Sequence, residues 1–203
     1  MLVPPRYAMP GAIALAAILA LTSCDDDPTG PESDDGEVGF AIDGDTDGFS
    51  ATGDLVFDVE GRPILDWAVA ADPDSVGGIA VTAFQTTGEG SGDLFVLQLR
   101  PVRTGQFSPC GPDEECHGRL LRGWHTDYSG FDEWFEIVSG SAQIDEIGSR
   151  IRGTFAFTLR NEGGEGPETL VIESGVLDVP IDEGADGLLC SVPSVVGCFT
   201  EDD

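Results

Sequence analysis

The residues best suited to chemistry in this chain are acids. Asp43-Gly-Asp45-Thr-Asp47-Gly48 has the D-x-D-x-D-G opening of a calcium loop, in which alternate carboxylates converge on one ion and the glycine permits the bend. Carried on, that register puts Asp54 at the twelfth position, where such loops use a longer, bidentate glutamate. The rival reading is a hairpin turn, because Asp-Gly between extended runs tolerates positive φ. Calcium on Asp43, Asp45, Asp47 and Asp54 is one expectation; no other cofactor is expected.

A second cluster runs from Trp124 to Phe135, where Trp124, His125, Tyr128, Phe131 and Trp134 interleave with carboxylates. Ring faces beside acids and a hydroxyl suit sugar rings, cationic groups or a peptide. The alternative is that Trp124 and Trp134 face each other across a hairpin and cap the core. For catalysis the spacing offers little: there is no G-x-S-x-G, H-E-x-x-H or phosphate loop. With two histidines and many acids, neither a Ser-His-Asp set nor a carboxylate pair for glycan cleavage stands out. A non-catalytic binding or structural module is expected, with an envelope-glycan hydrolase as the alternative.

Five cysteines are present. The first follows a leader of residues 1–23 with one early base, Arg6, and an apolar run from Gly11 to Leu21 that is too short to span a bilayer. Leu21-Thr22-Ser23-Cys24 resembles the lipobox of bacterial lipoproteins, which implies removal of the leader and acylation, palmitate among the chains, on Cys24. Two or three acyl chains anchor a protein stably where one does not. The implied address is the cell envelope, lipid-anchored and facing the periplasm or the cell exterior. The remaining four cysteines, an even number in an oxidising compartment, read as two disulfides, with proximity favouring Cys110 with Cys116 and Cys190 with Cys198. Zinc on these cysteines with His117 and His125 is the weaker reading, because neither pair has C-x2-C spacing.

Nine bases, all arginine, stand against 38 acids, giving a formal charge of −29. Nucleic acid and the anionic face of a bilayer would be repelled, whereas cations and basic partners would be drawn in. The same charge also serves solubility alone, as in salt-adapted proteins. Residues 24–37 hold the lipidated cysteine and an acidic linker, DDDPTGPESDDGE, that buries too little apolar surface to order itself. Extended, those thirteen linker residues would reach at most about 45 Å.

What must position these residues is a set of strands. Ile151, Gly153, Phe155, Phe157 and Leu159 fall on one face of an extended run, with Arg152, Thr154, Thr158 and Arg160 on the other. Similar runs cover 38–42, 49–59, 64–71, 78–86, 93–102, 119–126, 134–144 and 169–181, separated by clusters rich in glycine, proline and aspartate. No twelve-residue window keeps a helical apolar stripe. The expected fold is all-β, an antiparallel sandwich or barrel of about eight or nine strands over residues 38–182. Residues 183–203 form a tail with the second cysteine pair.

Gly153, Thr154, Phe155 and Phe157, followed by Gly175, Leu177, Asp178 and Val179, are similar to the closing strands of small β-rich bacterial lipoproteins; Leu177 stands where those have an aromatic. Ala41 to Gly44 with Phe49 to Ala51 resembles their first hairpin. The resemblance spans about residues 38–182 and implies a fold and an address; it brings no activity.

Overall fold

The computed structural model describes residues 35–43, 45–53, 66–71, 77–88, 91–125 and 130–182. Cys24, Cys190, Cys198, Asp54 and Tyr128 lie outside them, as do the leader and most of the linker. Ten strands follow one another: β1 (Gly36–Ile42), β2 (Asp45–Gly53), β3 (Trp67–Ala71), β4 (Ile79–Gly88), β5 (Ser91–Leu99), β6 (Gly105–Phe107), β7 (Cys116–His125), β8 (Glu133–Ile147), β9 (Arg150–Gly164) and β10 (Thr169–Asp182).

Seven of them close a ring, running β10, β3, β4, β5, β7, β8, β9 and back to β10. The fold is therefore a barrel. Closure removes the unpaired edges that would otherwise template aggregation. Every pairing is antiparallel except β3 with β10, which meet in parallel over Ala70 with Ile181 and Ala71 with Asp182. The rest of that β10 edge is taken by the β1–β2 hairpin. In the same way β8 shares one edge between β7 and the three-residue β6.

Alternation of side chains explains the core. Ile151, Gly153, Phe155, Phe157 and Leu159 of β9 are all buried, and the residues between them are partly or fully exposed. Phe40, Phe49, Phe95, Phe155 and Phe157 stack at the centre, with neighbouring ring centroids 4.7 to 5.4 Å apart along the chain of contacts.

The strands flanking β9 do not alternate strictly. In β10 the buried positions are Leu170 and Ile172, then Gly175, Leu177 and Val179, so the phase flips. An extra residue between Ile172 and Gly175 causes the flip, and β1 and β9 both register it. β8 carries a comparable bulge between Ile137 and Ser139. Bulges increase local twist, which a sheet needs to close on itself over few strands. Gly175 follows the β10 bulge because a Cβ there would lie 2.2 Å from the Phe155 ring.

Several boundaries differ from the periodicity reading. β1 begins at Gly36 rather than Val38, and β5 ends at Leu99 rather than Val102. β6 was not foreseen, since three residues carry no period. The Asp43–Gly48 run is a turn only at its head: Ile42 pairs with Asp45, and Asp45 and Asp47 already belong to β2. Asp43 has a φ of 50°, the positive value expected for the turn.

Cys110 and Cys116 are bonded to each other, with Cα atoms 4.6 Å apart. Both are buried in the core, so this bridge ties the segment after β6 to the head of β7.

At that same end, Arg150 Nε donates to Asp178 Oδ1 at 2.6 Å and Arg152 Nε to Oδ2 at 3.0 Å. Arg150 also donates to the carbonyls of Asp35 and Asp178, fastening the start of β1 to the barrel. Burial pushes the Asp178 carboxyl up, but the hydrogen bonds and charges of the two arginines outweigh it and hold it below the ordinary aspartate range. A carboxylate depressed in the folded state stabilises above its unfolded pKa, about 3.9, and loses that contribution as pH falls through the folded value. The melting temperature of the native chain is expected to exceed that of Asp178→Asn by a constant margin above about pH 5, and the margin to shrink as pH falls further. Scanning calorimetry across that range checks it, and a margin independent of pH would contradict the linkage.

Candidate functional site: an acidic cleft at one end of the barrel

The opposite end is built by the β4–β5 hairpin, the β7–β8 connection and the turn leaving β9. Between them lies a cleft of about 700 Å³ lined by Thr87, Asp93, Arg122, Gly123, Asp132, Glu133, Gly164 and Glu165. Among the described residues, four carboxylates and one guanidinium line it.

A bulge in β7 sets this geometry. Gly92 pairs with Trp124 and Leu94 with Leu121, so Arg122 and Gly123 together oppose the single residue Asp93. Gly123 adopts a φ of +63°, a conformation that side chains resist, and a Cβ there would fall 2.3 Å from the Asp132 carboxylate. The bulge turns the Gly123 amide toward Asp93, whose Oδ1 accepts it at 3.0 Å. The other oxygen of Asp93 sits 3.5 Å from Arg122 Nε, and Arg122 also reaches Glu133 at 3.7 Å. Asp93 is itself buried, at 6 % exposure, so its charge is held by these two partners. Backbone bonds from Asp132 to Arg122 and from His125 to Gly130 close the connection above.

The aromatic residues are placed differently from the sequence reading. Trp134 pairs with Leu121 and Trp124 with Gly92, so the two tryptophans do not face each other across the hairpin. The register between β7 and β8 is the physical reason: it sets Leu121, three residues before Trp124, opposite Trp134. Trp134 instead meets Phe131 edge-on at 6.2 Å, and the Arg119 guanidinium lies 5.6 Å from its ring. Burial pushes the Arg119 pKa down, partly offset by Glu136. The Trp134 Nε1 is buried and finds no acceptor. His125 is exposed and lies 4.0 Å from Asp132. His125 thus stands beside Asp132, which lines the cleft, whereas Phe131 and Trp134 are not among its described lining residues. Nothing is described of the Trp124 side chain or of Tyr128.

The aspartate run sits elsewhere. Asp43 Oδ1 accepts the Val171 amide at 2.8 Å, and the Asp43 amide donates back to the Val171 carbonyl at 2.8 Å, a reciprocal clasp between the hairpin turn and β10. The side chains of Asp45 and Asp47, like Asp54, are outside the described set. Among the described residues no three metal-ligating side chains converge.

Periodicity alone passed over Asp93, Arg122 and Glu165. Asp93 had a signal: it is a lone charge heading the apolar run Leu94 to Leu97. Gly123 had one too, since it interrupts an otherwise regular strand between Arg122 and Trp124.

Fold and site together define a small closed β-barrel with an acidic cleft at one mouth. No family model, curated protein or solved structure matches the chain.

Proposed function

We propose that this chain is a lipid-anchored protein of a bacterial cell envelope, exported by the leader of residues 1–23 and acylated on Cys24, whose barrel is a non-catalytic module that binds cationic ligands in the acidic cleft. The observation that carries the binding reading is the convergence of Asp93, Asp132, Glu133 and Glu165 on a cleft with Arg122 as the one lining cation among the described residues. Attraction to amines and guanidinium groups follows from that excess of negative charge, and a cleft with low-dielectric walls concentrates it. The address is supported by the leader and the Leu21-Thr22-Ser23-Cys24 tetrad.

Titration of the full chain with a hexalysine peptide tests the binding reading. Affinity is expected to fall as salt rises, since the pairing is electrostatic. The double variant Asp132→Asn/Glu165→Gln should weaken it about tenfold or more, the equivalent of about 1.4 kcal/mol. Asp113→Asn/Glu114→Gln removes the same charge from the exposed disulfide loop and should change little. Equal losses in the two double variants would mean that the overall charge, not the cleft, draws the peptide.

A further inference from the structure

The acid excess is not spread evenly over the barrel. Ser50, Gly39, Val176, Thr154, Gln143 and Gln106 pair in turn across β2, β1, β10, β9, β8 and β6, which makes one uncharged row over six strands. Their chain neighbours Val38, Leu177, Phe155 and Phe107 belong to the core, so the row itself looks outward. All of it but Gly39 is exposed. Among the described residues three large apolar side chains are exposed, and two of them, Val176 at 46 % and Val171 at 38 %, stand on β10. Val171 also faces outward, beside Thr158 of β9.

The charges bordering this row are mostly paired with one another. The next row holds Glu37, Asp178, Arg152 and Glu146. There Asp178 binds Arg150 and Arg152, and Glu146 binds Arg152. On the other side the β10 bulge presents one exposed acid, Glu173.

We infer that this face, centred on Val176, is where a second copy of the chain docks about a twofold axis. Charge selects the occupant. With 38 acids against nine bases, the chain offers a basic partner better places than an uncharged row. Another acidic chain is repelled unless it brings an uncharged patch of its own. A second copy brings an identical one, and a twofold contact sets the two patches against each other.

Size fits a weak dimer. Six strands about 4.8 Å apart, with about six residues of each at about 3.3 Å, give roughly 500 Å² per copy. The pair would bury roughly 1,000 Å², the lower end for a specific contact. Acids elsewhere on the two copies still repel, so association should strengthen as salt screens them.

Sedimentation equilibrium of the full chain tests the inference. A reversible monomer–dimer equilibrium is expected, with more dimer at about 1 M salt, where charges are screened beyond about 3 Å, than at low salt. Val176→Asp should weaken the dimer about tenfold or more, because each copy then carries a like charge into the contact. Val102→Asp is the control: Val102 is 40 % exposed but lies between β5 and β6, outside the row, and its replacement should leave the equilibrium unchanged. Glu173→Gln should tighten the dimer by removing the acid beside the contact. A chain that stays monomeric at high salt, or a dimer indifferent to Val176→Asp, would overturn the inference. So would equal weakening by the two aspartates, which would report net charge alone. A monomer whose melting temperature falls in Val176→Asp would also overturn it, since the chain itself would then be what covers the face.

Discussion

Phe95→Ala is expected to destabilise the barrel by about 3–5 kcal/mol, the largest effect of any single truncation proposed for this chain. Phe95 is fully buried and touches three other rings: Phe40 at 5.0 Å, Phe155 at 5.4 Å and Phe49 at 6.2 Å between centroids. Those rings come from β1, β9 and β2, so the side chain joins the β1–β2 hairpin to the closed ring. Alanine would remove the ring area from the apolar interior and leave a void that neighbouring strands, locked by their ladders, close only in part. Denaturant unfolding with an unchanged slope would report the loss as stability alone. Phe131→Ala, at a half-buried residue outside the core, serves as the comparison and should cost far less. A loss of under about 1 kcal/mol at Phe95 would mean that the phenylalanine cluster is not the centre of the core.

The second large effect concerns Asp93→Ala, which strands two partners at once. The Gly123 amide loses its acceptor and Arg122 loses its nearer carboxylate, 3.5 Å away. Leaving a buried donor unpaired costs about 1–3 kcal/mol. Arg122 is 41 % exposed, so water can solvate part of its charge and the ion pair adds little to that figure. Binding of hexalysine should weaken as well, because the β7 bulge that shapes the cleft is fixed by this carboxylate. Asp93→Asn separates the two roles. Its side-chain oxygen can still accept the Gly123 amide while the charge is gone, so most of the stability should return and the affinity should not. If alanine and asparagine proved equally damaging to stability, the charge rather than the hydrogen bond would be what holds Asp93 in place.

Some features could be read before any coordinates. The strict alternation from Ile151 to Leu159 fixed the inward face of β9, and the packing obeys it residue for residue. The Asp-Gly turn, the Cys110–Cys116 loop and the turn between β8 and β9 also follow from short-range chemistry. A period of two is a property of the extended backbone itself, and a two-residue turn or a six-residue loop involves no distant partner.

The candidate cleft was far less legible. Asp132 and Glu133 sit in the aromatic stretch that drew attention, but Asp93 and Glu165 are about 40 and 30 residues away along the chain. Only the long-range pairing of β5, β7, β8 and β9 as successive neighbours brings them to a common mouth. The tryptophan pairing failed for a related reason: the β7–β8 register sets Trp134 opposite Leu121 rather than Trp124, and a register is selected by both strands it joins.

The choice between sandwich and barrel belongs to the tertiary structure in the same way. Period two says which side chains face inward; it is silent on whether the first and last strands meet. That closure rests on β10 dividing one edge between β1 and β3, a contact between residues more than a hundred positions apart. Local sequence determined the strands, their faces and the excess of acid, because those depend on each residue and its near neighbours. The ring and the cleft arose from long-range register, which no window of sequence contains.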